Sequence, residues 1–168
     1  MASQEPLHYT DHFIGEMLRQ TRSIAMVGAS PSWSRPSNFV MKYLQEKGYR
    51  VIPVNPTVVG QDILGERVYA ALAEVPGPVE MIDVFRSSHA AAQVVDEAIS
   101  QKDRLGIRFV WMQLGVRNDE ATRRASAAGL AVIMDRCIKI EFARLFGELS
   151  LREVNAPINS PERPEARP

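Results

Sequence analysis

Hydrophobic residues first concentrate in an unbroken run from Ser23 to Ser30, which is typical of a strand covered on both faces. A helix is predicted from Ser37 to Lys47, because apolar side chains recur on one stripe and Gly48 lies just past its end. A second apolar run, Tyr49 to Asn55, predicts another strand. These three elements span about 30 residues, the length that a parallel crossover requires.

The same alternation continues along the chain. It predicts strands over Val79–Phe85, Ile107–Gln113 and Leu130–Asp135, followed in turn by helices over Ala90–Ser100, Asn118–Ala128 and about Ile138–Phe146. Strands that alternate with helices of this length favour parallel pairing with crossover connections. The predicted fold is therefore α/β, a doubly wound, Rossmann-type, mainly parallel five-stranded sheet with helices on both faces.

Three stretches depart from this alternation. A helix is predicted over His12–Thr21, outside the sheet, within an N-terminal helical segment of residues 1–22. The stretch Thr57–Ala73 has neither period, which indicates an irregular excursion or a short hairpin. Residues 151–168 are rich in proline and are predicted to be a disordered tail. Residues 1–150 are expected to form one domain.

Composition narrows the classes of function. Of 168 residues, 45% are hydrophobic and 24% are charged, as in ordinary globular proteins. Lys plus Arg equal Asp plus Glu at 20 each, so no basic field favours nucleic acid. No apolar run reaches the roughly 20 residues of a membrane helix. With no secretory signal pattern and one cysteine, Cys137, the expected location is the cytoplasm.

The loop from Gly28 to Ser37, called the phosphate loop below, joins the first strand to the first crossover helix. Ligands of open α/β sheets lie beyond the carboxyl ends of the strands, and this turn usually holds phosphates. Its glycine permits close backbone approach, the helix start near Pro36 offers unpaired N–H groups, and Arg35 offers a fork for phosphate oxygens. Hydroxyl donors come from Ser30, Ser34 and Ser37. Alternatively, Ser37 only caps the helix and Arg35 is solvated.

The loop lacks the usual nucleotide fingerprints. Ser30 and Trp33 occupy the second and third glycine positions of G-x-G-x-x-G. The second strand ends in Val54–Pro56 without the carboxylate that binds ribose hydroxyls. A Walker lysine is also missing. These absences argue against an ordinary NAD site and against phosphate transfer from ATP.

A set of ordered motifs resembles the small bacterial CoA-binding proteins, stand-alone relatives of the CoA-binding domain of the succinyl-CoA synthetase alpha subunit. The resemblance runs from about Ile24 to Leu145. The motifs, in chain order, are VGASPSWSRPS (27–37), VIPVNP (51–56), LGERVYAAL (64–72), VFR (84–86), WMQLGV (111–116) and MDRCIKIE (134–141).

This resemblance implies a coenzyme A or acyl-CoA ligand whose adenosine diphosphate half lies across the strand ends. Its phosphates would lie on the phosphate loop and its adenosine between the turns after the second and third strands. The implied binding residues are Gly28, Ala29, Ser30, Ser34, Arg35, Pro36, Ser37, Asn55, Pro56, Phe85, Arg86 and Gln113. A carboxylate after the second strand would repel the 3′-phosphate of CoA, so its absence agrees with this ligand.

The chain departs from the family pattern in two respects. Thr57 stands where close relatives often have lysine after V-N-P, which alters any contact with a 3′-phosphate. The ligase relatives phosphorylate a histidine in a second domain, whereas this chain has only His8, His12 and His89 and no second domain. Ligase chemistry is therefore not expected.

Two positions near the strand ends have alternative interpretations. Trp111 and Gln113 lie at the end of the fourth strand, where a ligand could reach them. Alternatively, the aromatic ring of Trp111 belongs to the core. Cys137 is either a small buried hydrophobe or a reactive thiol, since the helix start and the neighbouring Arg136 favour the thiolate. The related ligase domains have a cysteine near the thiol of CoA, which implies a mixed disulfide with CoA.

The favoured hypothesis is that the protein is a non-catalytic module that binds a small-molecule ligand, CoA or an acyl-CoA. No HExxH, GxSxG or CxxC pattern occurs, no metal site is expected, and Asp83 and Asp135 have no evident partner. One alternative is an NAD(P)-linked enzyme with an atypical loop. The other is an acyl-CoA-handling enzyme with Cys137 as nucleophile, for which only His89 is a candidate base.

Overall fold

Five short strands form a fully parallel sheet in the computed structural model of the protein, which describes residues 4–157. The strands are β1 (Ser23–Val27), β2 (Arg50–Val54), β5 (Met81–Val84), β6 (Phe109–Met112) and β7 (Ala131–Ile133), and a separate ribbon contains β3 (Asp62–Ile63) and β4 (Glu66–Arg67). The helices are α1 (Asp11–Gln20), α2 (Pro36–Glu46), α3 (Ser88–Leu105), α4 (Asp119–Ala127), α5 (Ile138–Phe146) and α6 (Leu151–Asn155). The predicted fold class is confirmed.

The strand order is β2-β1-β5-β6-β7, with β1 between two strands that follow it in the chain. In β1, Ala25 pairs with Ile52 on one side and with Ile82 on the other. The chain runs outward from β1 to β2, then returns to β5 and continues in the opposite direction. This reversal creates a topological switch point at the carboxyl ends of β1 and β5, the place where such sheets bind ligands.

Side chains alternate between two cores along each strand. Ala25 and Val27 of β1 pack in the core that includes α3 and α4, and Ile24 and Met26 pack in the core that includes α1, α2 and α5. All five residues of β1 are buried. Both faces of the sheet are thus covered, which explains the unbroken apolar run in the sequence. Within residues 4–157, no helix has both the length and the apolar character to cross a bilayer.

Helix α3 extends beyond the predicted range of Ala90–Ser100. It continues to Leu105 and ends at Gly106, which adopts a left-handed φ of 79° that glycine tolerates. The polar last turn looks like a loop in the sequence, yet Arg104 donates hydrogen bonds to the carbonyls of Val75 (2.8 Å) and Leu72 (2.7 Å). These contacts dock the end of α3 on the segment before β5.

The stretch Thr57–Ala73 contains the short hairpin that was one of its two predicted forms. Strands β3 and β4 pair antiparallel between two 3-10 turns, Pro56–Val58 and Leu72–Glu74. Ile63 and Val68 are buried in the α1/α2/α5 core. The hairpin therefore packs on the body of the protein.

The start of the predicted tail at residue 151 is wrong. Residues Leu151–Asn155 form α6, which begins with a capping box between Ser150 and Glu153. Leu151 and Val154 are buried against the core. Two apolar residues at helical spacing are too few to give a periodic signal, so the sequence concealed this helix. The remainder of the predicted tail, residues 158–168, lies outside the described residues.

Candidate functional site

A cleft of about 570 Å³ opens at the carboxyl edge of the sheet, beside the switch point; we call it the carboxyl-end cleft. Its walls come from the start of α2, the loops after β5 and β6, and the start of α5. Its lining residues are Pro36, Phe39, Val40, Phe85, Arg86, Ser87, Gln113, Leu114, Val116, Cys137 and Ile140. This set includes four of the predicted binding residues and Cys137.

Gly28 is required by the packing of two loops against each other. Its φ is +92°, and a Cβ at this position would overlap the carbonyl oxygen of Phe85 and approach Arg86 Cδ at 3.1 Å. The Gly28 N–H donates to the Val54 carbonyl at 2.9 Å. The sequence predicted that this glycine permits close backbone approach, and in the structure the group that comes close is the backbone carbonyl of Phe85.

Internal hydrogen bonds hold the phosphate loop in one shape. The Ser30 N–H donates to Ser37 Oγ (3.0 Å), and Asn38 Nδ2 donates to the Ser30 carbonyl (3.0 Å). Ser32 and Ser34 share a bond between their hydroxyls at 3.0 Å, and the Ser32 N–H donates to Ser30 Oγ at 3.1 Å. The loop is thus ordered before any ligand arrives.

Ser37 does not cap the helix, contrary to the alternative considered for it. It lies inside the first turn of α2 and is buried, and the N-cap is Arg35, whose side chain makes no capping bond. The first turn of a helix leaves N–H groups without an intrahelical partner. With a Pro36 start and no side-chain cap, this helix end remains available to an anion.

Asn55 connects the loop after β2 to the phosphate loop. Its Nδ2 donates to the carbonyl of Ala29 at 2.8 Å, and its Oδ1 accepts from Thr57 N (3.0 Å) and Thr57 Oγ1 (2.7 Å). Ala29 is buried, whereas Pro56 is exposed at the start of the 3-10 turn. The Nδ2 of Asn55 therefore holds the two loops together, and its Oδ1 orders the loop after β2.

Two exposed arginines stand at this edge. Arg86 lines the carboxyl-end cleft, and Arg35 lies at the phosphate loop next to the start of α2. Within residues 4–157, neither guanidinium makes an ion pair or a hydrogen bond. Both charges are therefore free to bind an anion, and guanidinium groups bind phosphate oxygens with two parallel hydrogen bonds.

Two residues at the end of β6, Trp111 and Gln113, have different environments: the first lies in the core and the second lines the cleft. Trp111 is fully buried, and its Nε1 donates to the Arg136 carbonyl at 2.9 Å, so it belongs to the core. Gln113 lines the cleft but is only 4% exposed. Its Nε2 donates to Asp83 Oδ1 at 2.7 Å. Gln113 therefore forms part of the cleft floor, with a partner below it.

Asp83 is a fully buried carboxyl group beneath this floor. Burial raises its pKa to about 7, although the hydrogen bond from Gln113 acts in the opposite direction. Its second oxygen, Oδ2, has no hydrogen-bond partner among the described residues. Sequence reasoning found no partner for Asp83, because the Gln113 contact depends on the register in which Asp83 pairs with Trp111. Asp135 also has a partner, since it accepts from the Gly115 N–H at 2.7 Å.

Cys137 is the N-cap residue of α5 and lines the cleft, where it is partly exposed. The guanidinium of Arg136 lies over the ring of Tyr9, 5.7 Å from its centroid. His89 is exposed in the first turn of α3 and does not line the cleft. The structure thus brings the thiol to the cleft, and none of the described residues that line this cleft is a histidine that could act as its base.

Large apolar side chains surround the mouth of the cleft. Leu114 is 67% exposed and Ile140 is 55% exposed, and Phe39 is exposed beside them. Trp33 is 85% exposed on the phosphate loop. Exposed apolar groups that gather at a cleft indicate binding of an apolar ligand part or partner. This feature could not be recognised in the sequence, because each of these residues also fits the apolar face of a helix or a turn.

Comparison with known proteins identifies the family of the chain. A sequence profile described as "CoA binding domain" matches residues 22–143. The uncharacterized protein YneT of Bacillus subtilis (strain 168) is 37% identical over 130 residues, which cover 77% of this chain and 92% of YneT.

Solved structures share the fold. A hypothetical protein from Pyrococcus horikoshii OT3 has a TM-score of 0.78 and 38% identity, covering 88% of this chain and all of its own. The apo form of the dinucleotide-forming acetyl-coenzyme A synthetase 1 of Ca. Korarchaeum cryptofilum has a TM-score of 0.59 and 25% identity, covering 70% of this chain and 27% of the synthetase. The profile match over most of the sequence and the identity to YneT show that this chain belongs to the CoA binding domain family.

Proposed function

We propose that the protein binds coenzyme A or an acyl-CoA, with the phosphates at the phosphate loop and the pantetheine arm in the carboxyl-end cleft. One observation carries this proposal. The cleft and the phosphate loop are continuous, because Pro36 belongs to both and the Arg86 side chain lies against Gly28. A ligand held by phosphates at the loop would therefore extend its remaining part into the cleft.

The phosphate end of the site has the chemistry that a pyrophosphate requires. Arg35 and Arg86 carry charges that no residue among 4–157 pairs, and the α2 terminus adds N–H groups and the positive end of the helix dipole. The loop needs little rearrangement, because its own hydrogen bonds already fix its shape. Preorganisation of this kind lowers the entropic cost of binding.

The cleft suits an arm with apolar and amide segments. Phe39, Val40, Leu114, Val116 and Ile140 supply apolar walls, and a few polar groups lie among them. Its volume of about 570 Å³ is within the range of small-molecule pockets. The pantetheine arm of CoA combines methyl and methylene groups with two amides, which matches this lining.

The groups after β2 favour CoA over NAD. Asn55, Pro56 and Thr57 present no carboxylate to bind the two ribose hydroxyls of NAD. A 3′-phosphate on the ribose would meet no negative charge from these residues. The two fingerprint glycines that usually approach the pyrophosphate of NAD are Ser30 and Trp33 here.

We infer that binding takes place without catalysis. The described residues that line the carboxyl-end cleft include no histidine, aspartate or glutamate to act as a general base for Cys137. General acid–base catalysis needs such a group within hydrogen-bond reach of the reacting atoms. The acyl-CoA enzyme alternative would have to recruit a base from elsewhere.

Thermal unfolding with matched ligands tests the proposal. A ligand that binds only the folded state stabilises it by mass action. CoA is expected to raise the melting temperature more than NAD or ATP at equal concentration. A larger rise with NAD than with CoA would refute the assignment and favour the NAD(P)-linked alternative.

A further inference from the structure

We propose that Asp83 is a positioning residue, which turns the Gln113 side chain so that its carbonyl oxygen faces the carboxyl-end cleft and accepts an amide N–H of the pantetheine arm. This inference deepens the proposed function and rests on it. It makes Gln113 the residue that distinguishes a ligand with an amide-bearing arm from a nucleotide without one.

The orientation of Gln113 follows from the chemistry of its partner. In the structure, Gln113 presents its NH2 group to Asp83, with Nε2 donating to Asp83 Oδ1 at 2.7 Å. This is the arrangement that the ionised carboxyl requires, because a carboxylate only accepts hydrogen bonds. The amide carbonyl oxygen then lies on the other branch of the side chain. Because Gln113 lines the cleft above the buried Asp83, this branch is the one available to a ligand.

The burial of the Asp83 carboxyl group destabilises the fold, which indicates that this residue has a role other than packing. The side chain is fully buried between apolar strands, and its Oδ2 has no hydrogen-bond partner among the described residues. A buried polar atom without a partner destabilises the fold. An apolar residue would suit this strand position better, as Met26 and Trp111 show in the neighbouring register positions. Orientation of the cleft floor accounts for a carboxyl group at this position.

The test compares two ligands and three variants at pH 8, above the raised pKa of Asp83, so that the ionised form of the carboxyl predominates. The ligands are CoA and adenosine 3′-phosphate 5′-diphosphate, which retains the nucleotide but lacks the arm. The variants are Gln113→Met, Asp83→Leu and the double variant. The double variant replaces both partners by apolar groups of similar size, a change that is often nearly neutral for stability.

The wild type is expected to bind both ligands. Each single variant and the double variant should bind CoA roughly three- to tenfold more weakly, the worth of one hydrogen bond. Affinity for the arm-less nucleotide should not change. The effects of the two single variants should not add, because both remove the same contact.

Three results would overturn the proposal. Equal weakening of both ligands would make the pair a purely structural feature, and normal CoA binding by Asp83→Leu would show that Gln113 needs no positioning. Failure of the wild type to bind CoA would refute the proposed function itself. If a single variant does not fold, two measurements still test whether the pair contributes to CoA binding. One is the affinity of the double variant, and the other is the response of the Gln113 side-chain NH2 signals, followed by NMR while CoA is titrated into the wild type.

Discussion

The two ends of the sheet each carry a cleft, and the larger one is not the candidate site. The amino-end cleft, of about 690 Å³, lies below the starts of β1 and β2. It is lined by Arg22, Ser23, Glu46, Lys47, Gly48, Arg50, Ser150, Leu151, Arg152, Asn155, Ala156 and Pro157. The carboxyl-end cleft measures about 570 Å³. Size and charge alone would therefore select the amino-end cleft.

What separates the two clefts is the apolar surface that they leave exposed. At the amino end, Lys47 lies over the ring of Tyr43, 5.4 Å from its centroid, and its carbonyl accepts from Leu151 N at 2.7 Å. The Arg22 N–H donates to Glu80 Oε1 at 2.6 Å. These contacts close the base of the fold. At the carboxyl end, Phe39, Leu114 and Ile140 stay exposed, whereas none of the described residues that line the amino-end cleft is a large exposed apolar residue.

Substitution of one glycine at each end should give the largest difference in the free energy of unfolding. Gly28→Ala should lower the free energy of unfolding by about 4 kcal/mol, because its left-handed φ and the overlap with the Phe85 carbonyl both oppose a Cβ. Gly48→Ala at the amino-end cleft should cost only about 1 kcal/mol, since it has a similar φ but its nearest contact is Leu151 Cβ at 3.8 Å. Urea unfolding of both variants measures the difference. Equal losses would contradict the loop packing described for Gly28.

Two acidic residues, Asp83 at the carboxyl end and Glu153 at the amino end, should make the stability of the fold depend on pH in opposite directions. The folded-state pKa of Asp83, about 7, lies above its ordinary value, so this residue makes the protein less stable as pH rises toward 7. Hydrogen bonds from Ser150 lower the pKa of Glu153, whose contribution is instead lost as the solution becomes acidic. Relative to Asp83→Asn, the wild type should lose about 3 kcal/mol of stability between pH 5 and pH 8. A pH-independent difference would show that Asp83 does not titrate in this range.

Two exposed arginines test which end holds the phosphates. Arg35→Ala should weaken CoA binding by about 1.5–3 kcal/mol if its guanidinium makes a charge-assisted bond to phosphate. Arg50→Ala, the matched change at the amino-end cleft, should leave affinity unchanged. Calorimetry at moderate salt compares them. A loss for Arg50→Ala with none for Arg35→Ala would reverse the assignment of the two ends.

The smallest expected effect concerns the thiol in the carboxyl-end cleft. Because Cys137 is partly exposed there, it should react with a small disulfide in the folded protein, and bound CoA should slow the reaction. With oxidised CoA, the Cys137 thiolate would displace one CoA thiolate and form a mixed disulfide of one CoA per chain. Mass spectrometry should detect this adduct, and reductant or Cys137→Ser should remove it. A thiol that reacts only after denaturation would be core packing.

The sequence predicted the order of elements well, because that order depends on local signals. Continuous apolar runs marked all five strands of the sheet, and the predicted helix that follows the last strand, Ile138–Phe146, agrees with α5. The misses occurred where tertiary contacts replace a local pattern. The last turn of α3 is polar and is held by Arg104, and α6 buries only two apolar residues.

The sequence predicted which loops lie at the candidate site, but not the contacts between them. The sequence located the phosphate loop and the strand ends, because topology alone brings these together. It could not reveal that Asn55 holds two loops together or that Gly28 faces the Phe85 carbonyl. Nor could it pair Asp83 with Gln113, since that contact requires the register of β5 against β6.

Chemical-shift mapping by NMR tests the central claim most directly, because it reports which end of the sheet CoA occupies. Titration of CoA into the wild-type protein should shift the backbone amides of Gly28, Ser30, Arg86 and Gln113. The amides that line the amino-end cleft, such as Gly48 and Arg50, should stay in place. Shifts confined to the amino-end residues, or none at either end with CoA in excess, would contradict the account.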